Sequence, residues 1–328
     1  MNDPRCTLGI LIVYANGLIE SSEFFLRVRG EIMRSLMLCL VVLPFVISWK
    51  GSSETNQAGI SSESQSTSQD ISPDNGMETI TNSIGMKLVL IPKGTFMMGS
   101  PESEEARFKD ETQHEVTISK DYYLGVHEVT QAQYEKVMGA KPSYFQGDKI
   151  KGSSSNHPVE LVSWKDAVEF CKKLSDLPEE KAAGRVYRLP TEAQWEYACR
   201  AGSKSAYSFG EGSKSLGDYG WFGDNSNDQT HPIGQKKANA WGLYDMHGNA
   251  LEWCSDWYDE YPKGAVSDPT GPKEGSFRVF RGGSWFDVAA FCRSAFRGGN
   301  GPSGRGRDLG FRVALSPSGI PQSPQAGK

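Results

Sequence analysis

Apolar and polar positions alternate along the middle of the chain with the two-residue period of β-strands. Apolar residues dominate positions 86–91 and 94–99, and the turn-forming sequence Pro-Lys-Gly at 92–94 lies between them. This arrangement predicts a strand, a turn and a second strand. Positions 114–118 and 122–126 repeat the pattern and predict a second pair of strands.

Three segments combine helical spacing of apolar residues with a capping residue at their start. The predicted helices cover 131–138, 164–174 and 192–200, and their expected N-caps are Thr130, Ser163 and Thr191. Asp166 and Gln194 stand three residues after the second and third caps, which is typical of a capping box. The apolar face of the second helix is predicted to contain Ala167, Val168, Cys171 and Leu174.

Regular patterning fades after Gly202, where Gly, Asn, Asp and aromatic residues alternate without a clear period. The main strand candidates in this half are 278–281 and 310–315. The sequence therefore predicts an α+β fold that is irregular and loop-rich in its C-terminal half. Loops of this length are uncommon unless ions, disulfides or a function hold them in place.

An apolar run of 14 residues at 36–49 follows Arg27, Arg29 and Arg34. A bilayer-spanning helix needs about 20 residues, so this run is short for a membrane span. A basic flank before an apolar core of this length is typical of a secretory signal. We therefore expect an exported protein. An uncleaved anchor and a buried core helix are the alternatives for this segment.

The signal layout begins better at Met33 than at Met1, so we expect residues 1–32 to be an overextended start. The Ser-rich stretch after the apolar run has almost nothing to bury and predicts a flexible linker. The predicted divisions are an overextension at 1–32, a signal peptide or anchor at 33–50, a linker at 51–78, one domain at 79–316 and a flexible tail at 317–328.

Composition excludes two classes of protein. The chain has 35 Lys+Arg and 40 Asp+Glu in 328 residues, a formal charge of −5. A nucleic-acid binder would need a basic surface to displace phosphate counterions, so this balance argues against one. The mean hydropathy of −0.48 argues against a protein with several membrane spans.

Eight segments then occur in a fixed order along the domain. They are 82–86, 94–100, 128–134, 158–164, 187–198, 242–249, 281–285 (Arg-Gly-Gly-Ser-Trp) and 309–313 (Leu-Gly-Phe-Arg-Val). In this order they resemble the formylglycine-generating enzyme (sulfatase-modifying factor) family across the whole of 79–316. The resemblance implies an irregular fold related to C-type lectins.

The family's oxidases hold Cu(I) with two cysteines shortly after the Gly-Gly-Ser segment, and they convert a sulfatase cysteine to formylglycine. The resemblance therefore implies a catalytic site at Ser284, Asp287 and Cys292, with Asp287 at the position of the first copper cysteine. When residues are counted forward from the Gly-Gly-Ser segment, Cys292 takes the position of the second copper cysteine. When they are counted back from 309–313, Cys292 lies nearer the position of a later structural cysteine of the family. Cu(I) requires paired thiolates, so one carboxylate and at most one thiol form a poor copper site.

The resemblance also assigns roles to the other cysteines. Cys199 occupies the position of a family cysteine that bonds to the later structural one, which implies a Cys199–Cys292 disulfide. Such a bond suits an exported protein. Cys171, whose usual partner position is Val313, and Cys254 are expected to be buried free thiols.

Asp245 and Glu252 flank a Gly-Asn turn that exposes backbone carbonyls. Calcium prefers a shell of hard oxygen ligands, which such a turn offers. The resemblance implies side-chain ligands from Asp245 and Glu252 and carbonyl ligands from Gly248 and Ala250. A solvated acidic turn is the alternative interpretation.

Two functions follow from these observations. The first is an exported oxidase that acts on a sulfatase-like peptide through an altered site. The alternative is a non-catalytic module that binds a peptide, glycan or protein in the same groove. Contact with a membrane is expected only through 36–49. Four arginines cluster near the flexible loop at 298–301, where they either receive an anionic ligand or are simply solvated: Arg293, Arg297, Arg305 and Arg307.

Overall fold

The structure is a computed structural model that describes residues 76–316. The predictions for 1–32, 33–50 and 317–328 lie outside the described residues, as does nearly all of the linker at 51–78. Between residues 76 and 316, no helix is both long enough and apolar enough to cross a membrane.

Twelve short strands form three sheets in the described part of the chain. They are β1 Thr79–Thr81, β2 Lys87–Ile91, β3 Gly94–Met98, β4 His114–Ile118, β5 Tyr122–Gly125, β6 Tyr187–Arg188, β7 Leu251–Trp257, β8 Val266–Ser267, β9 Arg278–Arg281, β10 Arg297–Asn300, β11 Leu309–Gly310 and β12 Ala314–Leu315. The strand orders are β1-β2-β5-β12-β6, β10-β9-β7-β11 and β3-β4-β8.

The predicted strands are present, but the predicted pairing was wrong. β2 does not pair with β3; it lies between β1 and β5, and β3 pairs with β4. β4 and β5 likewise belong to different sheets. Strand order here depends on distant contacts, such as Leu124 of β5 opposite Ala314 of β12. Local alternation of apolar residues carries no information about such partners.

Five α-helices lie between these strands in the described residues. They are α1 Gln131–Met138, α2 Trp164–Asp176, α3 Pro178–Ala182, α4 Glu192–Arg200 and α5 Leu216–Tyr219. The bounds of α1 and α4 are those predicted, and α2 continues two residues further. Complete capping boxes begin the three longest helices, with Thr130, Ser163 and Thr191 as the caps.

The buried face of α2 differs from the prediction at one position. Phe170 is buried with Ala167, Cys171 and Leu174, whereas Val168 is 39% exposed. Each helical residue turns by about 100°, so Val168 lies well round the helix from Ala167. An apolar side chain is thereby left on the protein surface.

Two large groups of buried apolar side chains form the core. One packs α1 and α2 onto the five-stranded sheet and includes Phe170, Trp253 and Phe311. The other surrounds α4 and includes Trp195 and Leu124. Large aromatic side chains supply much of the buried area, as expected for a domain with little regular structure.

The C-terminal half is irregular, as predicted. The expected strand at 310–315 divides into β11, which pairs with β7, and β12, which pairs with β5 and β6 in another sheet. At the centre of this break, Arg312 is fully buried. The α+β, loop-rich fold class is confirmed.

Candidate functional site

The loop after β9 approaches itself closely. Gly283 has φ +72°, and a Cβ atom at this residue would lie 2.6 Å from Cys292 Sγ. Only glycine combines this backbone conformation with that contact. The Gly-Gly-Ser segment therefore brings the chain at 284–287 against Cys292.

The structure brings the three predicted catalytic residues together. Ser284 Oγ donates to Asp287 Oδ2 at 2.7 Å, and the backbone N–H of Ser284 donates to the Cys292 thiol. All three residues are buried. Sequence order alone, with two competing counts for Cys292, could not establish this arrangement.

The chemistry of this group does not favour Cu(I). Burial, with a further contribution from the Asp287 charge, raises the pKa of the Cys292 thiol well above its usual value. The thiol is therefore protonated at neutral pH. Cu(I) binds paired thiolates, whereas these residues offer one neutral thiol and one hard carboxylate.

Cys199 does not bond to Cys292 as predicted. Among the described residues both are free, buried thiols, as are Cys171 and Cys254. Cys199 Sγ lies 3.6 Å from Ser294 Oγ. The residue that faces Cys199 is thus a serine two positions after Cys292, and a serine cannot form the bond.

His247 contacts both Cys199 and Cys292. Its Nδ1 donates to the Cys292 carbonyl oxygen at 2.8 Å, and its Nε2 accepts from Ser208 N and Oγ at 3.1 and 2.8 Å. Burial lowers the pKa of His247 to about 4, so the ring is neutral and its two nitrogens are engaged. It therefore does not act as a base toward Cys199, which lies 3.8 Å from Nε2.

The predicted calcium turn lies in a buried, charged environment. Both Glu252 oxygens accept from Arg312, at 2.6 Å each, and Oε2 also accepts from Trp195 Nε1. Asp245 Oδ2 accepts from the Gly234 backbone, while Asp245 Oδ1 is buried without a hydrogen-bond partner. Burial and the nearby Glu252 raise the pKa of Asp245 to about 6.

Sequence reasoning missed a third carboxyl group at this turn. Glu128 accepts from Asn249 Nδ2 and from the Ala250 backbone N–H, at 2.9 Å each. Burial, followed by the charges of Asp245 and Glu252, raises the pKa of Glu128 well above its usual value. An acidic residue just after the apolar strand β5 was the only available signal for this buried position.

The four arginines of the predicted cluster divide into two pairs: Arg305 and Arg307 are exposed, whereas Arg293 and Arg297 are buried. Arg293 is buried and pairs with Glu111 and Glu104, at 2.7 and 2.6 Å. Arg297 is buried and pairs with Glu192 at 2.7 Å. Neither Arg293 nor Arg297 is solvated, because each guanidinium pairs with a carboxylate inside the protein.

Apolar side chains remain exposed beside Cys292, and we call them the apolar strip. Val288 is 57% exposed, Phe286 37% and Phe108 38%. Phe291 extends the strip by stacking on Phe108, with ring centroids 5.7 Å apart.

Comparison with known proteins identifies the family of this chain. The model of the sulfatase-modifying factor enzyme 1-like domain matches residues 76–317. The chain belongs to this family. The resemblance inferred from the eight sequence segments is thereby confirmed.

Its relatives differ in their described roles. The chain is 34% identical over 275 residues to the chaperone protein LppX of Paenibacillus barcinonensis, covering 70% of this chain and 89% of that protein. It is 29% identical to the formylglycine-generating enzyme of Mus musculus, with coverages of 70% and 74%. The solved Treponema denticola variable protein 1 has 32% identity and a TM-score of 0.66, with coverages of 74% and 99%. Its likeness agrees with the predicted relation to C-type lectins.

The cysteine geometry predicts how the thiols react. Burial raises the pKa of Cys199 to about 12 and that of Cys292 well above its usual value, and alkylation requires the thiolate. We expect iodoacetamide at pH 8 to leave both residues unmodified in the native protein and to modify both after denaturation. Peptide mapping by mass spectrometry measures this. A Cys199–Cys292 cross-linked peptide from unreduced protein would contradict the structure.

Proposed function

We propose that this protein is a non-catalytic member of its family that binds a segment of a partner protein. The observation that carries the proposal is the group formed by Ser284, Asp287 and Cys292, which offers a protonated thiol and a carboxylate where Cu(I) requires two thiolates. A fold shared with oxidases does not by itself supply their chemistry.

The apolar strip supplies the binding surface. Val288, Phe286 and Phe108 expose apolar area on the loop that carries the altered site and beside it. Covering such side chains with a partner removes them from water, which is the main favourable term in protein association. The relative named a chaperone supports a role in binding other polypeptides.

The alternative function is oxidation of a sulfatase-type cysteine. The relation to the mouse formylglycine-generating enzyme supports it, as does the position of Cys292 against Ser284. A polypeptide is the partner in both functions. The two differ in whether a peptide is bound only or also oxidised.

Removing apolar area from the strip tests the proposal. Dilution of a denatured model protein causes aggregation, and we expect the wild-type chain to suppress the resulting light scattering. Val288→Ser should weaken suppression about tenfold, since full burial of a valine contributes about 1.5 kcal/mol. Val186→Ser is the matched control, because Val186 is also exposed but lies outside the strip. Equal effects of the two changes would contradict the proposal.

A separate oxidation assay distinguishes the binding function from the oxidase function. The full chain is incubated with copper, oxygen, a thiol reductant and a Cys-x-Pro-x-Arg peptide, and the mass of the product is measured by mass spectrometry. We expect the peptide to be recovered unchanged. An aldehyde product that disappears in Cys292→Ser would establish the oxidase and overturn the non-catalytic proposal.

We also infer that the turn at 245–252 binds calcium. Three buried carboxyl groups there face one buried guanidinium, that of Arg312, and Asp245 Oδ1 lacks a partner. Glu252 Oε1 accepts a single hydrogen bond, so it retains a lone pair for a cation. Calcium would be held by Asp245, Glu252 and the carbonyls of Gly248 and Ala250, and its charge would compensate the excess of carboxylates. Export, which the segment at 33–50 predicts, suits a weak extracellular site of this type.

Thermal unfolding measures calcium binding. The melting temperature should be higher in calcium than in chelator, because a ligand at a hundredfold excess over Kd stabilises the folded state by about 2.7 kcal/mol. Asp245→Asn should abolish the shift, and Asp218→Asn, which alters an exposed carboxylate, should preserve it. The shift should fade below about pH 6, where Asp245 becomes protonated and the proton competes with calcium. Identical midpoints with calcium and chelator at pH 7.5 would show that the turn binds no calcium.

A further inference from the structure

A second candidate site lies on a different part of the molecule, where α2 meets β6. A cavity of about 570 Å³ opens there. Small-molecule sites in proteins commonly have volumes of about 300–1,000 Å³. The cavity therefore has the size of a ligand site, and neither the apolar strip nor the calcium turn contributes to it.

The walls of this cavity are largely apolar. Val168 and Cys171 of α2 face it, together with Val186 and Leu189 from the strand segment. Val186 is 68% exposed, so a large apolar surface stays in water when the cavity is empty. Burial raises the pKa of Cys171 to about 12, so its thiol is neutral and contributes a further apolar wall.

The charged residues around the cavity are mostly basic. Lys172, Lys181, Arg185 and Arg188 line it, with Asp176 as the only acidic lining residue. Asp176 pairs with Lys181 at 3.2 Å, and Arg185 pairs with Glu180, also at 3.2 Å.

Two of these cations lack a carboxylate partner. Within residues 76–316, neither Lys172 nor Arg188 forms a salt bridge. Arg188 donates only to neutral acceptors, Gln194 Oε1 at 2.8 Å and the Leu189 carbonyl at 3.0 Å. The cavity thus combines an apolar wall with positive charge that no carboxylate neutralises.

We propose that this cavity binds a small carboxylate that carries an apolar chain, such as a medium-chain fatty acid. The chain would cover Val168, Val186 and Leu189, and the carboxylate would lie among Lys172, Arg185 and Arg188. Guanidinium groups match the planar geometry of a carboxylate and bind it with two parallel hydrogen bonds. This site is independent of the proposed partner-binding function, which uses the apolar strip.

Calorimetric titration of the full chain with decanoate below its micelle concentration tests the proposal. Decanol supplies the same chain without the charge, and acetate supplies the charge without the chain. We expect decanoate to bind at least about tenfold more tightly than either, since each comparison removes one of the two contributions. Binding of decanol as tight as that of decanoate would overturn the assignment of a carboxylate.

Two variants locate the bound molecule. Val186→Glu places a negative charge at the mouth of the cavity and should weaken decanoate binding at least about tenfold. Lys172→Gln should weaken it, whereas Lys173→Gln should not, because Lys173 is on the same helix but does not line the cavity. The changed residues are exposed, and circular dichroism checks that each variant folds. Unaltered binding in Val186→Glu, or equal effects of the two lysine changes, would contradict the proposal.

Discussion

The irregular half of this protein depends on one buried guanidinium, that of Arg281. It reaches from β9 to Glu196 of α4 and also donates to the carbonyl oxygens of Ser294, Ala295 and Phe296. The side chain is fully buried. Leaving a buried charge or carbonyl oxygen without a partner lowers the free energy of unfolding. The Arg281 guanidinium, the Glu196 carboxylate and the three carbonyl oxygens therefore stabilise one another. A single side chain thereby joins a helix, a sheet and the loop before β10.

The same type of contact recurs around this centre. Arg297 pairs with Glu192 and Arg312 with Glu252, and every member of these pairs is buried. The carboxylates come from α4 and β7, whereas the arginines come from the last part of the chain. These pairs hold the long loops in place, a role that the sequence had assigned to a disulfide or an ion.

Fixing the loop between β9 and β10 has a consequence for function. Arg281 holds the carbonyls at 294–296, and the Gly283 contact holds Cys292, so the chain between them is anchored at both ends. Phe286 and Val288 are exposed on that anchored segment. A surface that is already ordered loses little conformational entropy when a partner binds.

Local signals in the sequence predicted local structure well. Helices α1 and α4 begin and end where their caps predicted, because a capping box involves residues only three positions apart. Strand pairing failed, because the partner of β5 lies at the other end of the domain. The three predicted residues of the altered site do meet, since the segment that carries them is short.

The long-range contacts had no comparable signal. Nothing in the sequence near Cys199 indicates that Ser294 faces it. The predicted disulfide is wrong because the residue opposite Cys199 lies two positions after Cys292. Glu196 and Arg281 are separated by 85 positions, so no spacing rule joins them. Buried ion pairs between distant segments depend on the fold itself, and only the structure identifies them.

Unfolding by urea measures the role of Arg281 most directly. The free energy of unfolding of the full chain is compared for Arg281→Met and for Arg305→Met, which removes a partly exposed pair with Asp166. Loss of a buried partner should cost about 3–5 kcal/mol, and loss of the exposed pair under about 1 kcal/mol. Arg281→Lys, which keeps the charge but not the planar donors, should lie between them. Equal losses for Arg281→Met and Arg305→Met would contradict the account.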